Sequence, residues 1–219
     1  MGTRPIRHDG IDKVTGSAKY GGDVHPSGVL YGYILRSPFA HANIKSINVE
    51  AALRIEGVKA VVTHNDFNKR LEGSLKATDS TDLKYLRDNV LASDKVLYKG
   101  HAVAAVAAVD PHIAEEAVAS IKIEYEILPA VLTAPDASKN DAPILHKLLE
   151  TETLAGMISG PTNVAKRFVF EQGDVKQGFE EADVIVERQF DAKTVHQGYI
   201  EPHNAVANWN RDGRLTVSC

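Results

Sequence analysis

The side chains best able to do chemistry are concentrated near the end of the sequence, at His196, Glu201 and His203. Two imidazoles and a carboxylate are groups that bind Zn²⁺ and related divalent metals. Their spacing, however, matches none of the recurrent zinc-binding signatures. The residues therefore favour a segment without bound metal, and a metal site formed by this chain alone stays the weaker alternative.

The glycines of the chain do not form a phosphate-binding loop. Gly21 and Gly22 lack the spacing of a dinucleotide-binding motif, and Lys99 and Gly100 lack the spacing of a phosphate loop. Glycine is common where the backbone reverses direction. We therefore expect these glycines to form turns.

The single histidines and the cysteine give no catalytic combination either. His41, His101 and His112 stand alone near predicted strand ends and are expected to be solvated or hydrogen-bonded. Cys219 has no evident base beside it, so its thiol is expected to be incidental. From the residues alone, the interpretation ends at a mixed α and β protein without an assigned activity.

Composition narrows the classes of protein. The 219 residues carry a net charge of −4, with 43% hydrophobic and 25% charged residues, values typical of soluble globular proteins. The charges are interspersed, so the basic stripe of a nucleic-acid-binding surface is missing. No apolar run approaches a signal peptide or the ~20 residues of a membrane span. With Cys219 as the only cysteine, we expect a cytoplasmic protein without nucleic-acid or membrane partners.

The first part of the sequence predicts short strands and one helix. Residues 29–35 are rich in β-branched, aromatic and aliphatic side chains and predict a strand buried on both faces. Further strands are predicted at 43–49 and 58–63, separated by a helix over 50–56 that a glycine ends. The polar stretch 65–89 predicts a surface excursion.

The strongest local pattern is a strand, a helix and a second strand. Residues 102–109 are a continuous apolar run of the kind found in central strands. Asp110 and Pro111 follow as an N-cap and a proline at the first helical position, and an apolar helical stripe comes after them. Residues 121–127 then alternate between apolar and charged side chains, which predicts one buried and one solvated face.

Composition changes after this unit. Residues 133–162 are expected to link two domains, because they are rich in small, polar and proline residues. Beyond them we predict a short strand at 168–170, a helix over 175–181 capped by Asp174 with its apolar side chains facing inward, and a long strand at 182–194.

A hairpin is predicted at the end of the sequence. Residues 204–209 and 215–217 read as strands, and the intervening 210–213 has the composition of a hairpin turn. Because a core strand stops there without a following partner, we expect the second domain to be incomplete.

Ten short motifs follow one another along the sequence. The motifs of the first region are RHDGIDKVTGSAKYGGD (7–23), LYGYILRSPFAHA (30–42), GV (57–58), ASDKVLYKGHAVAAV (92–106) and IEYEILPAV (123–131). Those of the second region are NVA (163–165), GD (173–174), Phe179, ADV (182–184) and HQGYIEP (196–202). Each motif is weak by itself, whereas their common order along nearly the whole chain is specific. Together they resemble the large subunits of the xanthine dehydrogenase, aldehyde oxidase and carbon monoxide dehydrogenase family.

The resemblance implies a mixed α+β fold with two parts. Residues 1–132 would form the family's α/β hammerhead domain, and residues 133–162 would be a linker. Residues 163–219 would be the beginning of a molybdopterin-binding domain.

The resemblance also implies a function for the complete enzyme. Members of this family hydroxylate or oxidise a small molecule with oxygen from water at a molybdenum held by molybdopterin, and electrons pass through 2Fe-2S clusters to FAD on partner domains or subunits. The family's catalytic glutamate and its cofactor-binding loops come after the hairpin, so no catalytic residue is carried over. His196, Glu201 and His203 are only the positions nearest that region, and Glu201 could equally brace the hairpin.

Three hypotheses follow for the chain itself. The first is a piece of a molybdenum hydroxylase large subunit, inactive alone, with the remainder of that subunit and the iron–sulfur and FAD subunits as partners. It predicts an exposed apolar surface around Phe190, Tyr199, Trp209 and Val217. The second is a free-standing noncatalytic protein-binding module, which predicts a closed, polar second domain. The third is the metal site already mentioned.

Overall fold

The computed structural model describes residues 2–67, 76–78, 81–147, 149–158 and 160–219. The helices are α1 Gly10–Thr15, α2 Glu50–Leu53, α3 Leu83–Val90, α4 Pro111–Ser120, α5 Ala134–Ala137 and α6 Val175–Glu181, with 3-10 turns at Gly21–Asp23 and His64–Asp66. The strands are β1 Tyr31–Arg36, β2 Ala42–Asn48, β3 Val58–Thr63, β4 Lys76–Thr78, β5 Thr81–Asp82, β6 Lys95–Val96, β7 Ala102–Ala108, β8 Lys122–Ile127, β9 Thr151–Thr153, β10 Gly156–Ile158, β11 Lys166–Arg167, β12 Val206–Trp209 and β13 Leu215–Ser218. The predicted mixture of helices and strands is confirmed.

Contacts divide the chain into two units. The terminal unit joins Met1–Val29 to Val184–Cys219, and the central unit is Leu30–Asp183. The terminal unit contains the antiparallel hairpin β12–β13, which confirms the hairpin prediction. The central unit contains the remaining strands and most of the buried residues.

The first sheet of the central unit has the order β1-β7-β3, with both outer strands antiparallel to β7. The apolar run at residues 102–109 therefore forms a central strand, as predicted. Helix α4 packs on one face of this sheet, where its Ala114, Ala117 and Val118 join Ala104 and Val106 in a buried cluster. Alanines at these contacts allow the helix and the sheet to approach closely.

The start of α4 is set by the predicted cap. The carboxylate of Asp110 accepts a hydrogen bond from the His112 backbone N–H at 2.8 Å, and Pro111 occupies the first turn, where its missing N–H costs nothing.

Replacing Asp110 with alanine should therefore lower the free energy of unfolding of the central unit by about 1 kcal/mol. Asp174→Ala is the matched control, because Asp174 caps α6, which buries no residue. The control should change that free energy by less than about 0.5 kcal/mol. Chemical denaturation of both variants measures the difference, and equal losses would contradict the explanation.

The second sheet has the order β6-β2-β8. In β8 the charged Lys122, Glu124 and Glu126 are exposed, while Ile123 and Tyr125 are half-buried, so the predicted alternation is confirmed there. Ile127 departs from it, because it ends the strand and is exposed. A second buried cluster is formed by Ala42, Ala92, Val96 and Val103, with Phe39 and Tyr125 packed against it.

Four sequence predictions are wrong in detail. Strand β1 is not buried on both faces: it is a sheet edge, and most of its residues are exposed. In the stretch 65–89 the described residues include β4, β5 and helix α3, while residues 68–75 and 79–80 lie outside the described residues, so the predicted surface excursion stays a prediction. The short strand is found at Lys166–Arg167 instead of 168–170, paired in parallel with β9.

The third correction concerns the long strand predicted at residues 182–194, and the fourth concerns helix α6. This segment has no strand hydrogen bonding, and its Val184, Val186 and Phe190 are exposed. A strand needs a neighbour for its backbone N–H and C=O groups, and the terminal unit, as far as it is described, contains only the two strands of the hairpin. The apolar side chains of α6, Val175 and Phe179, are likewise exposed rather than facing inward.

Asn163 holds together the segment between the two predicted domains. Its Nδ2 donates to the carbonyl oxygens of Ala137 at 3.1 Å and Pro143 at 3.0 Å, and its Oδ1 accepts from the Leu145 N–H at 3.0 Å. One half-buried amide thus satisfies three backbone groups of a stretch that has little secondary structure of its own.

Two of the three single histidines are buried and hydrogen-bonded. The Nδ1 of His41 lies 2.6 Å from the carbonyl oxygen of Pro129. His101 accepts at Nδ1 from the Leu97 N–H at 3.3 Å, so its Nε2 carries the proton and donates to the carbonyl oxygen of Asp88 at 3.0 Å. Its ring also stacks on Tyr98. This arrangement requires a neutral imidazole.

Acid should therefore destabilise the central unit through His101. Burial lowers the pKa of His101 below its ordinary value of 6.5, so the unfolded chain takes up a proton more readily than the folded one. The stability from this group is complete above pH 6.5 and is lost as the pH falls from 6.5 towards the folded pKa. His101→Gln should flatten this part of the pH profile.

His112→Gln is the control, because His112 is exposed. Thermal unfolding of the wild type and both variants between pH 7.5 and 5 measures the effect. A pH profile unchanged by His101→Gln would rule out the buried imidazole as its cause.

Candidate functional site

The segment that carries the candidate residues has neither helix nor strand. Residues 182–205 are irregular throughout. Within them, the Nδ1 of His196 accepts a hydrogen bond from the Gly198 N–H at 3.0 Å, and Gly198 has a φ of 72°. His196 thereby stabilises a local turn that only glycine adopts without strain.

Glu201 and His203 line a cleft of about 480 Å³ in the terminal unit. Its wall also contains Ile200, Pro202 and Asn204 from the same segment, and Tyr20, Gly22 and Asp23 from the N-terminal arm. His196 is not among the lining residues. The structure therefore brings together two of the three candidate residues and adds two groups, Tyr20 and Asp23, that the sequence analysis missed.

The residues before β1, here called the N-terminal arm, contact this segment at Gly21. Asp23 Oδ2 accepts from the Tyr20 N–H at 3.0 Å and closes the 3-10 turn, which confirms the turn predicted for the glycines. A Cβ placed on Gly21 would lie 3.3 Å from Asn204 Oδ1 and 3.5 Å from the Cα of Cys219. Glycine at this position permits a close approach of the arm to Asn204 and Cys219, which flank the open end of the hairpin.

The only sequence signal for this contact is that both of its segments carry motifs resembling the family. The motif that ends at Asp23 and the motif 196–202 are both among those that resemble the family, yet they are separated by more than 170 residues. Nothing in local spacing shows that such distant motifs meet.

The cleft has the chemistry of a weakly acidic surface. Asp23 and Glu201 contribute carboxylates, and no lysine or arginine is among the lining residues. Within the described part of the chain, no group of three or more His, Cys, Asp or Glu residues is arranged to hold a metal ion. No hydrogen bond or ion pair of Glu201 is found there that would brace the hairpin.

These residues do not fit a bound molybdopterin. The cofactor carries a phosphate group, and two carboxylates without a compensating cation would repel it. No catalytic step is therefore derived through the cofactor from residues 1–219.

The surface of the terminal unit is apolar at the predicted positions. Phe190, Tyr199, Trp209 and Val217 are 89%, 67%, 69% and 51% exposed. Trp209 and Val217 lie on the same face of the hairpin, because Val217 pairs with Ala207 and alternate residues of a strand share a face. Contiguous exposed apolar residues mark an interaction surface. The predicted exposure at these four positions is confirmed. Cys219 is exposed and forms no disulfide.

Comparison with known proteins identifies the class. Residues 15–129 match the family model of the aldehyde oxidase and xanthine dehydrogenase a/b hammerhead domain, and residues 158–219 match that of the molybdopterin cofactor-binding domain. A hammerhead domain followed by a molybdopterin-binding domain is the architecture inferred from the sequence motifs. The chain belongs to the aldehyde oxidase and xanthine dehydrogenase family.

Individual relatives agree with this assignment. A probable xanthine dehydrogenase subunit from Bacillus subtilis is 34% identical over 97% of this chain. The nicotinate dehydrogenase large molybdopterin subunit of Eubacterium barkeri is 30% identical over 99% of it. The solved structure of reconstituted CO dehydrogenase from Oligotropha carboxidovorans covers 99% of the chain with 31% identity and a TM-score of 0.76.

All three relatives are longer than this chain. It spans 26% of the Bacillus protein, 46% of the Eubacterium protein and 27% of the Oligotropha chain. In the described residues, no helix has the length and apolar character needed to cross a membrane.

Proposed function

We propose that this chain serves as the N-terminal portion of the molybdopterin-binding subunit of a molybdenum hydroxylase. Residues 1–132 act as the hammerhead domain, 133–162 as a linker and 163–219 as the beginning of the cofactor-binding domain. The observation that carries the proposal is the exposure of four apolar side chains of the terminal unit, Phe190, Tyr199, Trp209 and Val217, in a chain that matches only part of its relatives.

In this role the chain is a scaffold and supplies no catalytic group. The complete enzyme oxidises or hydroxylates a small molecule with oxygen from water, and molybdopterin, 2Fe-2S clusters and FAD carry the redox chemistry. The partners are the remainder of the molybdopterin-binding subunit and the iron–sulfur and FAD subunits or domains. A cytoplasmic location is supported by the single cysteine, Cys219.

The alternative of a free-standing binding module has less support. It predicts a polar, closed second domain, whereas Phe190 and Ile200 in the terminal unit are 89% and 99% exposed. A free-standing domain that exposes such side chains to water tends to associate with other molecules or to aggregate.

Affinity capture of the chain from its native cells tests the proposal. Molybdenum and iron should be recovered together with the chain, in a fixed ratio to it. Phe190→Lys should reduce the recovered molybdenum several-fold, because a charge would enter an apolar contact. Leu132→Lys is the matched control, since Leu132 is 82% exposed and belongs to the central unit. Recovery of a metal-free monomer from the wild type would contradict the proposal.

A further inference from the structure

The face of the β1-β7-β3 sheet opposite helix α4 is apolar and only partly covered. Strand register places Ile34, Ala105 and Val62 side by side in one row, and Gly32, Ala107 and Ala60 in the next. Alternation along β7 fixes their direction, because Ala104, Val106 and Ala108 face α4. We call these six residues the open sheet face.

The open sheet face has the composition of a buried surface. None of its six residues is polar or charged, although Ile34 is 44% and Val62 is 36% exposed. Strand β8 of the same chain shows what a solvated face looks like, with Lys122, Glu124 and Glu126 on its wet side. An antiparallel sheet with one face in water normally shows that alternation, whereas a continuous apolar run is typical of a strand covered on both faces.

Part of this side of the sheet is already covered. At one end of β7, Val103 points away from α4 and is fully buried in the cluster with Ala42, Ala92 and Val96. Ala105 and Ala107, further along the same side, are only half-buried. Among the described residues, the cover therefore ends after Val103.

The size of the open sheet face indicates what completes the cover. Three strands about 4.8 Å apart and two rows about 7 Å apart give a patch of roughly 200 Å² with its side chains. A stable interface between separate proteins buries about 800 Å² on each partner. A patch this small does not offset the entropy lost when free molecules associate, but it suffices within one subunit, where that entropy is not lost again.

We infer that the open sheet face is covered by the part of the molybdopterin-binding subunit that lies outside residues 1–219, and not by a second copy or an electron-transfer subunit. This inference rests on the proposed function and on relatives that are two to four times longer than the chain. The small side chains at Gly32, Ala60, Ala105 and Ala107 suit an apolar segment that packs closely against the sheet.

Cysteine labelling tests the inference. Cys219→Ser provides a background without thiols, because Cys219 is the only cysteine. Val62→Cys then reports on the open sheet face, Ile34→Cys is a second reporter, and Lys122→Cys on the wet face of β8 is the control. Maleimide should modify all three positions in the 219-residue chain. In the native molybdenum-bearing assembly, the two reporters should react at least about tenfold more slowly, with little change at the control.

A photo-crosslinker attached at the Val62→Cys position identifies the cover. Crosslinks to peptides of the molybdopterin-binding subunit outside residues 1–219 are expected. Crosslinks to an iron–sulfur or flavin polypeptide or to a second copy of this chain, or equal slowing at the reporters and the control, or slowing at none, would overturn the inference. Molybdenum analysis of the same preparation reports separately on the proposed function, so an assembly with molybdenum but a reactive Val62→Cys removes only the inference.

Discussion

Gly57→Ala is expected to destabilise the central unit by about 2–5 kcal/mol, the largest effect of any single substitution considered for this chain. Gly57 has a φ of 93°, a left-handed conformation that costs a residue with a side chain about 1–2 kcal/mol. The new Cβ would also lie 2.8 Å from Ile113 Cδ1 and 3.0 Å from Val109 Cγ2. Overpacking of this kind costs about 1–3 kcal/mol more. Denaturant unfolding of the purified chain measures the loss.

Gly100→Ala separates the two causes. Gly100 has a φ of 89°, close to that of Gly57, but open space surrounds the position of its Cβ. Only the backbone cost of about 1–2 kcal/mol should appear. If both variants lose the same free energy, the contact of Gly57 with helix α4 contributes nothing and the packing argument fails.

Asn163→Asp is expected to cost about 2–4 kcal/mol and to loosen residues 137–145, whose backbone groups the Asn163 amide binds. The substitution keeps the shape and the oxygen that accepts from Leu145, but it turns the donor to Ala137 and Pro143 into a carboxylate oxygen facing two carbonyl oxygens. Two hydrogen bonds become repulsive contacts. Hydrogen exchange should show faster exchange in this segment, and denaturation should show the global loss.

Asn140→Asp is the matched control for this substitution. It makes the same chemical change in the same segment, but Asn140 is exposed. Surface changes of this kind usually alter stability by less than about 0.5 kcal/mol. An equally large effect at both positions would assign the loss to added negative charge and not to the Asn163 hydrogen bonds.

The sequence predicts the centre of the fold well because the sequence signals there are local. A continuous apolar run, an Asp-Pro cap and a helical stripe follow one another over residues 102–120, and each can be recognised from residues within a few positions. The hairpin at the end is predicted for the same reason, since turn composition and strand propensity act over a dozen residues.

Predictions fail where distant parts of the chain decide the outcome. Residues 31–36 have the composition of a buried strand, but their place at the edge of the sheet leaves most of them exposed. Residues 182–194 have strand propensity without a partner strand, so no ladder forms. Propensity describes what a segment can adopt, whereas pairing depends on another segment being available.

By itself, the sequence determined the mixed α+β class, the family, and His196, Glu201 and His203 as residues of interest. Only the tertiary structure decided that Glu201 and His203 share a cleft with Tyr20 and Asp23, that His196 instead stabilises a turn, and that the cleft is acidic and unsuited to a phosphate-bearing cofactor. The physical reason is that family motifs and local patterns are properties of contiguous residues. The charge and shape of a cleft depend on which distant segments fold against each other, as Gly21 does against Asn204.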